Sequence, residues 1–303
     1  MSYFVAYEPY RALYPDAVPE AVAGRAQSTQ AAFRGVGTAL ALIGGGLLVT
    51  LGKPVPFIVG GALLGVTLLA FSVAIARRGP PDVHGGGDDE QDSTLRDGFV
   101  DLWVLVRASA ELRAFFFANA LWELSLAALK TFIILYLTQG LGLSTTMSAL
   151  AVGAAALFIL AGAVGSGKLG DRIGRVRVLS IALPVYGAGL LVPLIFSAPL
   201  AVAVVAPVAA LGGGVVMSLP YAVLTPLMPD DRHGALTGFY TFSRGIGIAL
   251  GPLLAGIAVR TLQQPFSATQ GYQAMWGVCS AAIFASLLFL PRLSGRRERE
   301  AGR

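Results

Sequence analysis

An amide and two charged side chains interrupt one of the most apolar stretches of the chain. They are Asn119, Glu123 and Lys130, in AFFFANALWELSLAALKTFIILYL, residues 114–137. At about 100° per residue, Glu123 stands roughly 40° and Lys130 roughly 20° from Asn119 on a helix, so all three share one stripe. Charges inside an apolar helix are costly, and they default to binding or ion-carrying roles. Counted from residue 114, Glu123 lies about 14 Å along the helix, near the middle of a bilayer. The expectation is that Glu123 faces a central cavity and binds a substrate or a proton. The competing reading is a Glu123–Lys130 pair that only stabilises helix packing. Tyr186 and Tyr221 are candidate hydrogen-bond donors to the same cavity, with simple packing or an interfacial position as the alternative. Arg34 and Arg244 stand at two equivalent helix starts. They are expected to snorkel to the interface and anchor a gate.

Other chemistry finds little support. One cysteine, Cys279, and two separated histidines, His84 and His233, make neither a disulfide nor a metal-ligand cluster. There is no G-x-x-x-x-G-K-[ST] phosphate loop and no catalytic triad. The chain is expected to be no enzyme and to hold no metal or cofactor. A net charge of +5 raises nucleic acid as a partner. The basic residues, however, fall between apolar runs, where membrane topology accounts for them.

The elements that must position these residues are apolar helices. Of 303 residues, 55% are hydrophobic and 13% charged, well below the roughly 25% charged residues of soluble chains. Eight spans are expected, at 32–51, 55–76, 114–138, 145–166, 178–196, 199–227, 237–261 and 271–291. Helices satisfy their own backbone in lipid. Nearly all of the 22 Lys+Arg lie in or beside the connections on one side of the membrane. That asymmetry predicts a multi-pass protein of the cell (inner or plasma) membrane with both termini cytoplasmic. Residues 77–98, with PP, GGG and DDEQDS, have linker composition. Residues 99–113 are either a helix along the membrane surface or a plain extension of the next span.

The chain also repeats itself. Residues 9–46 match 220–256: Pro9, Tyr10, Leu13 and Pro15 answer Pro220, Tyr221, Leu224 and Pro226, and RGVGTAL from Arg34 answers RGIGIAL from Arg244. Both copies run from a polar loop into an apolar helix, so the repeat is parallel. Parallel repeats of several helices build one class of transporter, with the site between the halves. By this register the spans before the second copy have partners that would lie ahead of Met1.

Between the fourth and fifth spans runs Gly167-Lys168-Leu169-Gly170-Asp171-Arg172-Ile173-Gly174-Arg175-Val176-Arg177. This resembles the cytoplasmic loop signature of the major facilitator superfamily, G-x-L-[AG]-D-R-x-G-R-[KR], with Val176 where a basic residue is usual. The resemblance implies an all-α membrane protein whose eight transmembrane helices correspond to helices 5–12 of a twelve-helix fold. Residues 1–76 would hold the last two helices of the first bundle, 77–113 the linker, and 114–303 the complete second bundle. It also implies that Gly167, Leu169, Gly170, Asp171, Arg172, Gly174 and Arg175 latch the cytoplasmic side, meeting the helix that starts near Arg34. PYRALYPDAVPEAVAGRA resembles, weakly, a loop of sugar-type cation symporters. The expected function is secondary active transport of a small organic solute by alternating access, coupled to a proton or cation, within the lipid bilayer. The alternative is a non-transporting fragment or subunit that needs separate N-terminal helices as its partner.

Overall fold

The computed structural model describes residues 51–78 except 53, residues 103–293 except 105 and 229–232, and the isolated positions 33, 37, 40, 44 and 48. The first expected span, 32–51, therefore lies almost wholly outside the described residues, as does Arg34. The five isolated positions are helical. The chain divides into two compact units, 1–93 and 94–303, with the division inside the linker-like stretch.

In the first unit, helix α1 runs Val55–Arg78. Its 24 residues reach about 36 Å, enough to cross a hydrocarbon core of about 30 Å. It starts directly after Pro54, and Arg77 and Arg78 close it.

Among its described residues the second unit consists of helices joined by turns and short connections, with no strand. Helix α2 is Ala110–Leu135 and continues as a wider π turn over Tyr136–Gly140. Then come α3 (Thr145–Ile173), α4 (Arg175–Ile195), α5 (Pro199–Ser218), the short α6 (Pro220–Leu224), α7 (His233–Thr261) and α8 (Ala274–Leu287). Among the described residues six helices are long and apolar enough to span a membrane, and α8 is a shorter apolar helix. The expected span 271–291 is thus a 14-residue helix prolonged by turns on both sides.

Local chemistry sets the starts. The Ser109 side chain accepts from the Leu112 N–H, and Ser144 does the same for Met147, so each caps orphan donors of a helix start. Pro199 and Pro220 open α5 and α6, where a missing N–H costs nothing. Pro220 also explains why the expected span 199–227 breaks after Ser218. Residues 103, 104 and 106–108 are helical, and Ser109 is extended (φ −91°, ψ 116°). The stretch before α2 is therefore a separate helical piece, not a continuation of the span.

Contact registers fix the directions. On α2 and α7, Asn119 meets Ser243, Gly247 lies on Ala120 and Leu124, and Gly251 lies on Leu124 and Ala128. Both numbers rise together, so these helices are parallel. On α2 and α8, Phe117 stacks on Phe289, Trp122 donates to Ser286, and the Cys279 thiol donates to the Ser125 carbonyl. There one number rises as the other falls, so these helices are antiparallel. The same test makes α3 and α5 parallel (Gly162 on Leu211, Ser166 on Ser218) and α4 and α8 antiparallel (Gly187 with Ser280, Leu194 with Gln273). The long helices therefore alternate in direction along the chain, as a multi-pass bundle requires.

Small residues make these contacts close. A Cβ on Gly162, Gly214, Gly247 or Gly251 would strike a backbone carbonyl of the neighbouring helix. In lipid, association rests on such packing and on interhelical hydrogen bonds. Larger side chains fill the end where α2 and α7 begin. There Phe115, Phe116, Phe239, Tyr240 and Tyr221 meet edge-on or stacked.

Candidate functional site

Glu123 sits near the centre of the apolar span Ala110–Gly140, on the face of α2 that meets α7. Its Oε1 accepts from Arg244 Nε at 2.6 Å. The two side chains are 13% and 25% exposed, so the pair is largely withdrawn from the surface and keeps partial exposure. The Arg244 guanidinium also lies 5.7 Å from the centre of the Tyr240 ring. Gly247, one turn beyond Arg244, lets the backbones approach: a Cβ there would stand 2.9 Å from Glu123 Cβ. The glycine contact thus sets the separation across which the ion pair forms.

This geometry bears on two readings. An ion pair joins Glu123 to Arg244, whereas the competing reading paired Glu123 with Lys130. Lys130 is exposed two turns further along α2, about 10 Å along the axis. Arg244 does not stand at a helix start and does not snorkel outward. Helix α7 begins at His233, about 16 Å earlier along the axis, and the side chain reaches across to α2.

Asn119 lies in the contact between α2 and α7. It is fully buried, and its Nδ2 donates to Ser243 Oγ at 2.7 Å. The Ser243 hydroxyl spends its proton on the Tyr240 carbonyl, at 2.8 Å, so the amide must be the donor to it. Tyr186 is also buried, its ring lying over Gly212 and Gly213 between α4 and α5. Tyr221 pairs its hydroxyl with Thr237 at 3.1 Å inside the aromatic cluster. Of the five candidates for a cavity, the structure brings only Glu123 into a charged, partly open setting in mid-span.

The signature segment has its own geometry. A loop was expected over 167–177, but α3 continues through Gly167, Leu169, Gly170, Asp171 and Arg172 to Ile173, and α4 restarts at Arg175. Only Gly174 lies between them, at φ 95°, a conformation that favours glycine. Polarity marked where the chain leaves the hydrocarbon, not where the helix ends. Arg175 Nη1 donates to the Ala222 carbonyl at 2.7 Å, and Nη2 lies 3.8 Å from Asp171 Oδ1. The turn between α3 and α4 is thereby tied to α6. A Cβ on Gly170 would stand 3.2 Å from Arg175 Cγ, so that glycine gives the arginine its path. Arg175→Ala is expected to cost about 1.5 kcal/mol, the low end for a hydrogen bond to a charged group. Thermal unfolding in detergent reads this as a drop of about 3–6 °C, and Arg172→Ala, at an exposed position, as a smaller one.

One family model, described as Major Facilitator Superfamily, matches residues 9–252 and again residues 115–303. The chain belongs to the Major Facilitator Superfamily. Residues 115–252, which carry Glu123, the signature segment and Arg244, lie in both matches. Membership in this superfamily makes the chain an integral, multi-pass membrane protein of a transporter family, in keeping with its apolar helices. A solved structure described as a bacterial homologue of the human lysosomal transporter Spinster, inward-facing and unoccupied, is similar at 16% identity and a TM-score of 0.45. That match covers 95% of this chain and 72% of the other. No curated protein matches.

Proposed function

We propose that the chain moves a small organic solute by alternating access, driven by a proton or cation gradient, with Glu123 and Arg244 as the charge pair of the transport site. The observation that carries this reading is the mid-span ion pair, 2.6 Å long and partly exposed, between two parallel helices. An intramembrane ion pair is expensive to bury, and well-packed apolar residues of similar volume often serve stability as well or better. A transporter has a use for it, because Glu123 can exchange its hold on Arg244 for a proton or a cation, and the released guanidinium can then take a polar solute. Sites of this kind lie near the midplane. In the same reading Gly167–Arg175 is the cytoplasmic latch, both termini are cytoplasmic, and a sugar-like solute is preferred.

The test is transport in proteoliposomes. Wild type is first offered a panel of labelled monosaccharides, amino acids and organic cations to find one that it accumulates. Glu123→Gln is then expected to lose accumulation of that solute against its gradient by ten-fold or more while keeping exchange across the membrane. Unchanged gradient-driven accumulation removes Glu123 from the coupling role.

A further inference from the structure

A groove of about 320 Å³ opens where α2 begins and α8 ends, away from the Glu123–Arg244 pair. It is lined by Ala110, Arg113, Ala114, Phe117, Phe289 and Arg292. Among the described residues, its polar side chains are two arginines and no carboxylate lines it. Its apolar wall is built: the Phe117 and Phe289 rings stack at 5.8 Å with planes 17° apart, and Phe117 is 61% exposed. Arg113 lies at the first turn of α2, and Arg292 in the helical stretch 290–293 that follows α8 after a short turn. Phe117 lies one helical turn further into the span than Arg113, and Phe289 likewise precedes Arg292. From Arg113 to Glu123 is about 15 Å along α2, so the groove is not part of the mid-span pair.

This order of chemistry, cations at the helix ends and then an exposed aromatic wall leading into the span, matches one ligand class. Guanidinium groups bind phosphate with paired, planar hydrogen bonds. Basic pockets between transmembrane helices hold anionic lipid headgroups. A free phosphate ion would use the arginines and leave the ring wall without a role. A phospholipid uses both, with its phosphate on the guanidinium groups and an acyl chain along the stacked rings. We propose that the groove between α2 and α8 is a binding site for an anionic phospholipid, held by Arg113 and Arg292 and seated on Phe117 and Phe289.

The probes are phosphatidylglycerol, phosphatidylcholine and inorganic phosphate, and the measurement is lipid retained by the full chain in native mass spectrometry. Wild type is expected to retain phosphatidylglycerol in preference to phosphatidylcholine. Arg113→Gln and Arg292→Gln should each lower that retention about five-fold, the equivalent of about 1 kcal/mol per arginine near a membrane surface. Phe117→Ala should lower retention of both lipids. Arg260→Gln, in the last turn of α7, should change nothing. Millimolar inorganic phosphate should not displace the lipid. Both groove arginines are exposed at helix ends, so their variants are expected to unfold at the wild-type temperature in lipid-free detergent. Equal retention by variants and wild type overturns the proposal, as does the lack of any preference for the anionic lipid, or displacement by phosphate.

Discussion

Arg244→Gln is expected to destabilise the second unit by about 3 kcal/mol, the low end for removing one partner of a buried ion pair. The loss comes less from the missing contact than from what stays behind. Glu123 would be left at 13% exposure in mid-span without its guanidinium partner. The ring of Tyr240 would also lose the cation above it. At about 2–4 °C per kcal/mol, thermal unfolding in detergent should fall by about 6–12 °C. Glu123→Gln alone removes the carboxylate to which Arg244 donates and should lower stability too. The two changes together should recover most of the loss, because two neutral amides can hydrogen-bond where two charges did. A double-mutant cycle reads that recovery as a coupling energy of about 1–3 kcal/mol. Additive losses would mean that the two side chains do not act on each other.

Gly247→Ala and Gly251→Ala are expected to cost about 2 kcal/mol each, against the usual gain of alanine over glycine in a helix. An added Cβ at Gly247 would strike the Ala120 carbonyl and lie 2.8 Å from the Leu124 nitrogen. At Gly251 it would strike the Leu124 carbonyl and lie 3.0 Å from the Ala128 nitrogen. These neighbours are backbone and cannot turn away as a flexible side chain can, so α7 must withdraw from α2. Withdrawal lengthens the Glu123–Arg244 contact, so Gly247→Ala should depress transport as well as stability. Gly245→Ala is the internal control. Nothing lies within 4 Å of its Cβ position, and it should be neutral or stabilising by up to about 1 kcal/mol. Equal unfolding temperatures for the alanine variants at 245 and 247 would refute the close α2–α7 contact.

Much of this organisation was readable in the sequence, for identifiable reasons. Apolar runs report burial in lipid whatever their partners, so α1 to α5 and α7 stand where composition puts spans, although the run 199–227 ends as a long helix at Ser218. The segment Gly167–Arg175 also pointed to the superfamily to which the chain belongs. What periodicity on one helix cannot report is the neighbouring helix. Asn119, Glu123 and Lys130 share a stripe, yet Asn119 faces Ser243 in a closed contact, Glu123 faces Arg244, and Lys130 is exposed. A signal for the true partner existed. Glu123 and Arg244 lie ten and eight residues into spans that enter from the same side, so opposite charges stood at matching depth. Tyr186 was beyond reach, because the glycines that receive its ring, Gly212 and Gly213, lie on another helix.

The central claim is that the Glu123–Arg244 pair serves transport rather than packing, and the double variant Glu123→Gln, Arg244→Gln separates the two most directly. Packing alone would be met by a neutral, hydrogen-bonded replacement. The measurement is gradient-driven accumulation, in proteoliposomes, of the solute that wild type accumulates, made on double variant shown to unfold within about 4 °C of wild type. The pair's role in coupling predicts a folded protein that no longer accumulates the solute. Accumulation at the wild-type level by that folded double variant would contradict it.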